Sequence, residues 1–123
     1  MDLGAFSVSL TVRDLERSRA FYEKLGFQVT GVEADQGWLI LVNGETVIGL
    51  FKGMFDRNIL TFNPGWSGPF RESDSFTDVR EIAKRLEAEG IQFTDSNLPA
   101  EGGPGHISFT DPDGNPILID QHR

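Results

Sequence analysis

Val8, Leu10 and Val12 alternate with Ser7, Ser9 and Thr11. A period of two predicts a strand with one apolar face and one small polar face. Leu15, Ser18, Phe21, Tyr22 and Leu25 then recur at helical spacing, between Asp14, which can cap a helix start, and Gly26, which can end one. Three further strands are expected over 27–33, 38–42 and 46–51, the last two joined by the hairpin signal Asn43-Gly44. The first half therefore reads β-α-β-β-β.

The second half repeats this outline. Asp78 to Gly90 spans the same twelve residues as Asp14 to Gly26 and reads as another capped amphipathic helix. Strands follow at 91–93, 106–110 and 117–120, the last two around the turn residues 111–115. Asp111 and Asp113 are expected to serve that turn by accepting backbone N–H bonds. The strand opening this half is 58–63 by composition, although 70–76 fits the spacing of the repeat. With the first choice, 64–75 becomes an inserted loop carrying Trp66, and 99–105 is a second Gly-rich loop. The reading is one domain built from units 5–53 and 58–121. Val8, Leu10, Val12, Phe21, Leu25, Ile82, Leu86, Ile107, Phe109, Ile117 and Ile119 are its expected core between sheet and helices.

Composition narrows the chemistry. Hydrophobic residues make up 38% of the 123 and charged residues 24%, an ordinary globular balance. Cysteine is absent, which excludes disulfides, thiolate nucleophiles and Cys-metal sites. Nineteen acidic against eleven basic side chains give −8, which argues against a nucleic-acid partner and favours a cationic ligand. No apolar run is long enough for a membrane span and no signal-peptide profile opens the chain, so a cytoplasmic location is expected. No Gly-x-Ser-x-Gly elbow supports a hydrolase, and the glycines at 102, 103 and 105 lead into no helix that would make a phosphate loop.

The stretch 7–27, Ser-Val-Ser-Leu-Thr-Val-Arg-Asp-Leu-Glu-Arg-Ser-Arg-Ala-Phe-Tyr-Glu-Lys-Leu-Gly-Phe, resembles the opening of the vicinal oxygen chelate superfamily. That superfamily includes glyoxalase I, bleomycin resistance proteins, extradiol dioxygenases and fosfomycin resistance enzymes. Residues 109–117, Phe-Thr-Asp-Pro-Asp-Gly-Asn-Pro-Ile, look like its closing hairpin. The resemblance implies an α+β fold, two tandem β-α-β-β-β units with sheets curled around a central cavity, and pairing as a homodimer. It also places four metal ligands, usually His, Glu or Gln. They fall at Ser7, at Gly49 (Ile48 if the register slips), at Asn58 or Ile59 (Arg71 under the other strand choice) and at Leu118. None of these is a His or a carboxylate, so no metal and no other cofactor is expected.

What remains is a binding reading. By strand parity Ser7, Ser9 and Thr11 share one face, as do His106 and Ser108, and the resemblance sets both, with Leu118, around one cavity. Trp38 and Trp66 are candidate walls or lids, since indole rings offer large contact area. His106 is the candidate polar anchor, able to donate and accept. His122, near the end of the sequence, is expected to be solvated. The function expected is metal-free binding of a small organic ligand at Ser7, Ser9, Thr11, Trp38, Trp66, His106, Ser108 and Leu118. The alternative is a metal-dependent or His106-assisted enzyme of glyoxalase I or dioxygenase type.

Overall fold

A computed structural model of the chain describes residues 1–123, apart from the side chains of residues 31–34. It divides into two compact units, Ser7–Ile59 and Leu60–Arg123 together with Met1–Phe6. The chain's first residues thus cluster with its second half. Leu3 packs on the second unit's core, and the rings of Phe6 and Phe62 lie 5.1 Å apart. Gly4 has φ +84°, and a Cβ there would collide with the carbonyl of Asn63, so only glycine permits this approach.

The first unit contains β1 (Ala5–Val12, from Ser7 onward), α1 (Leu15–Glu23), β2 (Gln28–Glu33), β3 (Trp38–Asn43) and β4 (Thr46–Lys52). Its sheet order is β2-β3-β4-β1, with β1 parallel to β4 and the other pairs antiparallel. The second unit contains β5 (Ile59–Asn63, from Leu60 onward), a small hairpin of β6 (Trp66–Gly68) and β7 (Arg71–Glu72), then α2 (Val79–Ala88), β8 (Asp95–Asn97), β9 (Gly105–Thr110) and β10 (Pro116–Gln121). Its order is β5-β10-β9-β8, again with the opening strand parallel to the last. Both units therefore share one topology, the β-α-β-β-β repeat. Of the two segments proposed to open the second repeat, 58–63 supplies the strand, while 70–76 contributes only the edge of the hairpin.

Both helices start and stop in the same way. Asp14 accepts from the Arg17 N–H at 3.1 Å and Asp78 from the Arg80 N–H at 2.9 Å. At the far ends Gly26 (φ +100°) and Gly90 (φ +85°) adopt left-handed backbone. The next N–H returns to the last turn in each case, Phe27 to Tyr22 O at 3.2 Å and Ile91 to Leu86 O at 3.0 Å. The turn between β9 and β10 is held by Asp111 alone of the two aspartates expected to serve it, Asp113 taking part through its N–H. Asp111 Oδ1 accepts from the Asp113 and Asn115 N–H groups at 2.9 and 2.8 Å.

Each unit has its own core. Leu39, Leu41 and Leu50 are fully buried in the first, with Leu10, Val12, Leu15 and Tyr22 around them. Val79, Ile82, Ile107 and Ile119 are fully buried in the second, with Phe62, Leu86, Phe109 and Ile117 around them. Three expected core residues fall outside. Val8 is half-buried and joins neither core, and Phe21 and Leu25 are each 57% exposed. Leu15 and Tyr22, seven apart, form the stripe of α1 that meets the sheet, and Phe21, one position from Tyr22, is turned off it. The Phe21 ring rests edge-on against Tyr22 at 5.3 Å.

Two local expectations also shift. The β3–β4 hairpin pairs Asn43 with Thr46, so its two loop residues are Gly44-Glu45, with Gly44 at φ +60°, a type II′ arrangement. Residues 91–93 form no strand; pairing with β9 begins when the Thr94 N–H donates to Ser108 O at 2.8 Å. In the register Asp95 to Ser108, Phe93 would lie opposite Thr110, where β9 ends, so it packs against Phe109 instead, rings 6.2 Å apart.

A buried amide ties the second unit together. Gln121 Oε1 accepts from the Val79 N–H at 2.7 Å, and its Nε2 donates to Asp78 Oδ2, Gly103 O and Arg123 O at 3.0, 3.1 and 3.0 Å. Burial raises the Asp78 pKa, but hydrogen bonds from Gln121 and from the backbone and guanidinium of Arg80 outweigh it and hold the carboxyl below its ordinary value.

Two predictions follow from this packing. Leu39→Ala should cost about 2–5 kcal/mol in denaturant unfolding, whereas Phe21→Ala should cost under about 1 kcal/mol in the monomer. Because the folded-state pKa of Asp78 is depressed, its stabilisation is complete above the unfolded carboxyl value and is lost as pH falls through the folded one. Asp78→Asn should therefore be less stable near neutrality and lose less stability on acidification. Unfolding midpoints measured from about pH 6 to about pH 2 check this.

Candidate functional site

In the first unit, the strand face turned away from α1 is read directly from the register. Thr11 pairs with Phe51 and Phe51 with Trp38, making one row across β1, β4 and β3. The adjacent row is Ser9, Gly49 and Ile40, and Val47 faces Val42 in the next. Trp38 and Phe51 stack with ring centres 6.4 Å apart and planes 27° from parallel, and Phe55 adds a tilted ring 5.2 Å from Phe51. Thr11 fixes the loop that carries Phe55: its hydroxyl donates to Phe55 O at 3.0 Å and its N–H to Asn58 Oδ1 at 3.0 Å. Its side chain thus builds the wall. Ser9 is buried on this face, and Ser7 is half-buried.

Gly49 explains how three aromatic rings can lie here. A Cβ at Gly49 would sit 2.6 Å from the Phe51 ring and 3.4 Å from Ile40 Cδ1. The Phe51 ring folds over the glycine backbone and occupies the space any side chain at 49 would need. The register pairs Gly49 with Ser9, so Gly49 lies on this face, while Ile48, paired with Leu41, joins the core under α1.

In the second unit the corresponding face carries the row Thr61, Leu118, Ser108 and Asp95, and beside it Asp120, His106 and Asn97. His106 and Ser108 point away from α2, since Ile107 and Phe109 pack under it. His106 Nε2 lies 2.9 Å from Asp95 Oδ2, and His122 Nε2 lies 2.9 Å from Asp120 Oδ2. The hydrogen bond to Asp120 raises the His122 pKa against the opposing effect of burial. A hollow of about 360 Å³ is bordered by Asn97, Pro104, His106, Asp120 and His122.

Trp66 sits in the β6–β7 hairpin opposite Glu72. Its indole Nε1 is buried and makes no hydrogen bond among the described residues. Arg123 clasps the base of this hairpin, donating to Gly65 O at 2.8 Å and Ser73 O at 2.9 Å, with its guanidinium 5.1 Å from the centre of the Phe76 ring. At the hairpin tip Phe70 is 75% exposed with φ +60°, a backbone region that bulky side chains rarely adopt.

The eight residues singled out from sequence thus fall four and four: Ser7, Ser9, Thr11 and Trp38 on the first unit, Trp66, His106, Ser108 and Leu118 on the second. Phe51, Phe55, Asp95 and Asp120 were not among them. Phe51 was hidden by the hairpin: counting from an Asn43-Gly44 loop sets Gly49 opposite Trp38, whereas the Gly44-Glu45 loop sets Phe51 there. Asp95 was hidden because strand β8 was expected earlier, at 91–93.

The donor set at the four positions that the resemblance assigns to metal ligands does not suit a divalent ion. Ser7 offers a neutral hydroxyl and Gly49 no side chain. Asn58 Oδ1 is taken by the Thr11 N–H, Ile59 is aliphatic, and so is Leu118. Among the described residues, no three His, Asp or Glu side chains converge in a way that could hold an ion, and no helix is long and apolar enough to cross a membrane.

Comparisons with known proteins agree with this architecture. A bleomycin resistance protein from Klebsiella pneumoniae is 29% identical over 128 residues, covering 94% of this chain and 90% of that protein. A glyoxalase/bleomycin resistance protein/dioxygenase superfamily member from Vibrio splendidus 12B01 superposes with TM-score 0.65 at 16% identity, covering 94% of this chain and 97% of that one. Methylmalonyl-CoA epimerase from Mycobacterium tuberculosis superposes with TM-score 0.64 at 14% identity, covering 97% and 88%. At such identities the superpositions speak for the fold alone. The sequence profile of the Glyoxalase/Bleomycin resistance protein/Dioxygenase superfamily matches residues 4–119, and the chain belongs to that superfamily.

Proposed function

We propose that the protein binds a small organic ligand without a metal, on the face of the first unit lined by Trp38, Phe51 and Phe55. The observation that carries this reading is the Phe51 ring lying over Gly49, which puts an aromatic surface where a metal ligand would otherwise stand. Stacked rings favour planar groups, and their faces attract cations. The net charge of −8 adds a general attraction for positive ligands. Ser7 and Ser9 give this face its polar character, and Thr11 holds the aromatic loop. On the second unit, His106, Ser108 and Leu118 form a further ligand-facing surface, with Trp66 in its hairpin as a candidate contact. Such a protein sequesters its ligand by shape and a few polar groups, with no chemical step required. The name of the Klebsiella relative suggests bleomycin as the first probe.

An enzyme of glyoxalase or dioxygenase type is the second reading, and one observation favours it. Asp95 holds His106 at 2.9 Å, as a carboxylate orients an imidazole for proton transfer.

We further propose that the chain acts as a homodimer. Phe21 and Leu25 are large apolar side chains left exposed on α1, and a second copy would remove such surface from water.

Bleomycin, and failing it a panel of planar organic cations, should quench tryptophan fluorescence saturably, with an unchanged midpoint in excess EDTA. Trp38→Ala should weaken the binding by ~1–3 kcal/mol, as expected for an aromatic anchor. Binding abolished by EDTA would overturn the metal-free reading. For the assembly, light scattering at tens of micromolar should return twice the 13.6 kDa chain mass, and a 13.6 kDa species would exclude the dimer.

A further inference from the structure

We propose that His106 and His122 form a binding site for a borderline transition-metal ion such as Zn²⁺, on the second unit and apart from the four positions where the superfamily's ligands fall. It does not depend on the ligand reading above. Two carboxylates orient the two rings. Asp95 Oδ2 lies 2.9 Å from His106 Nε2, and Asp120 Oδ2 lies 2.9 Å from His122 Nε2. An ionised carboxylate only accepts hydrogen bonds, so Nε2 of each ring carries the proton. In the neutral imidazole the lone pair then sits on Nδ1 of each ring. A carboxylate behind an imidazole fixes its tautomer and orientation and raises its basicity, which is the usual setting of a metal-bound histidine.

The strands bring the two rings to one place. His106 pairs with Asp120 in the antiparallel β9–β10 ladder, and His122 lies two residues beyond Asp120. His122 follows the end of β10, and its ring turns back to Asp120, the residue directly opposite His106, so the two rings lie on the same side of the sheet. Both border the hollow of about 360 Å³, with Asn97 and Pro104 beside them. Imidazole nitrogen suits Zn²⁺, Cu²⁺ and Ni²⁺ better than Mg²⁺ or Ca²⁺. Since no third His, Asp or Glu among the described residues joins them in a metal-holding cluster, two imidazoles supply the protein's share and water completes the coordination. The ion is therefore exchangeable, and the chain, lacking cysteine, has no thiolate to compete for it.

The test uses the full chain, stripped with EDTA, dialysed, and titrated calorimetrically with Zn²⁺ at about pH 7.5. One ion per chain is expected. His106→Asn and His122→Asn should each weaken binding at least about tenfold, and Asp95→Asn should weaken it through His106 by about tenfold as well. Thermal melting without Zn²⁺ verifies that each variant is folded. NMR of the imidazole nitrogens in the unmodified chain gives an answer independent of the variants: Zn²⁺ should perturb Nδ1 of both rings at a common stoichiometry. A single perturbed histidine, no saturable binding, or folded histidine variants that bind like the parent would overturn the proposal.

Discussion

Everything on the candidate faces depends on a constraint imposed from the other side of each sheet. One face of every central strand must go under a helix, and in a strand the faces alternate residue by residue. In the first unit the row Leu10, Leu50, Leu39 lies under α1, so the row Thr11, Phe51, Trp38 must lie on the opposite face. In the second unit Ile107 and Ile119 lie under α2, which turns His106, Ser108, Leu118 and Asp120 the other way. A slip of one residue would bury Ser9 under the helix and expose Leu50. The hydrophobic term forbids this, and the register of the polar and aromatic residues follows from it.

This is why much of the fold was legible in the sequence. The alternation in Ser7 to Val12, the Asp-to-Gly spacing of both helices and the Asp111 turn each express a local rule, and each appears in the structure where it was expected. The misses share a physical cause as well. Phe21 and Tyr22 are adjacent on a helix, and only the position of the sheet decides which of them is covered. Residues 91–93 have strand composition, but strand pairing needs a partner, and β9 ends at Thr110, opposite Phe93, leaving nothing to pair with 91–92. The site was less legible than the fold. Parity alone placed Ser9 and His106 on their faces, whereas the Asp95–His106 pair arises from a long-range register that no local pattern encodes.

The second unit shows how a loop-rich segment is held without disulfides. Gln121 satisfies the first N–H of α2 and a carbonyl of the Gly-rich loop at once, while Arg80 donates to Pro99 O at 2.6 Å and Gly103 O at 3.0 Å. Arg123 does the same for the β6–β7 hairpin. Three long side chains thus replace regular secondary structure as partners for loop carbonyls, which must be satisfied wherever they are shielded from water. The hairpin bearing Trp66 is consequently part of the folded body of this unit.

The contact between Gly49 and the Phe51 ring also bears on the routes by which this sequence can change. A histidine or glutamate introduced at 49 alone would meet the ring at 2.6 Å. Shrinking Phe51 alone would remove the middle of the aromatic row and still leave no donor. Each single step loses something before the pair gains anything, so the two positions are coupled and their effects will not add. Placing a metal ligand at 49 therefore takes a concerted double substitution across a valley, which neither single change can cross by itself.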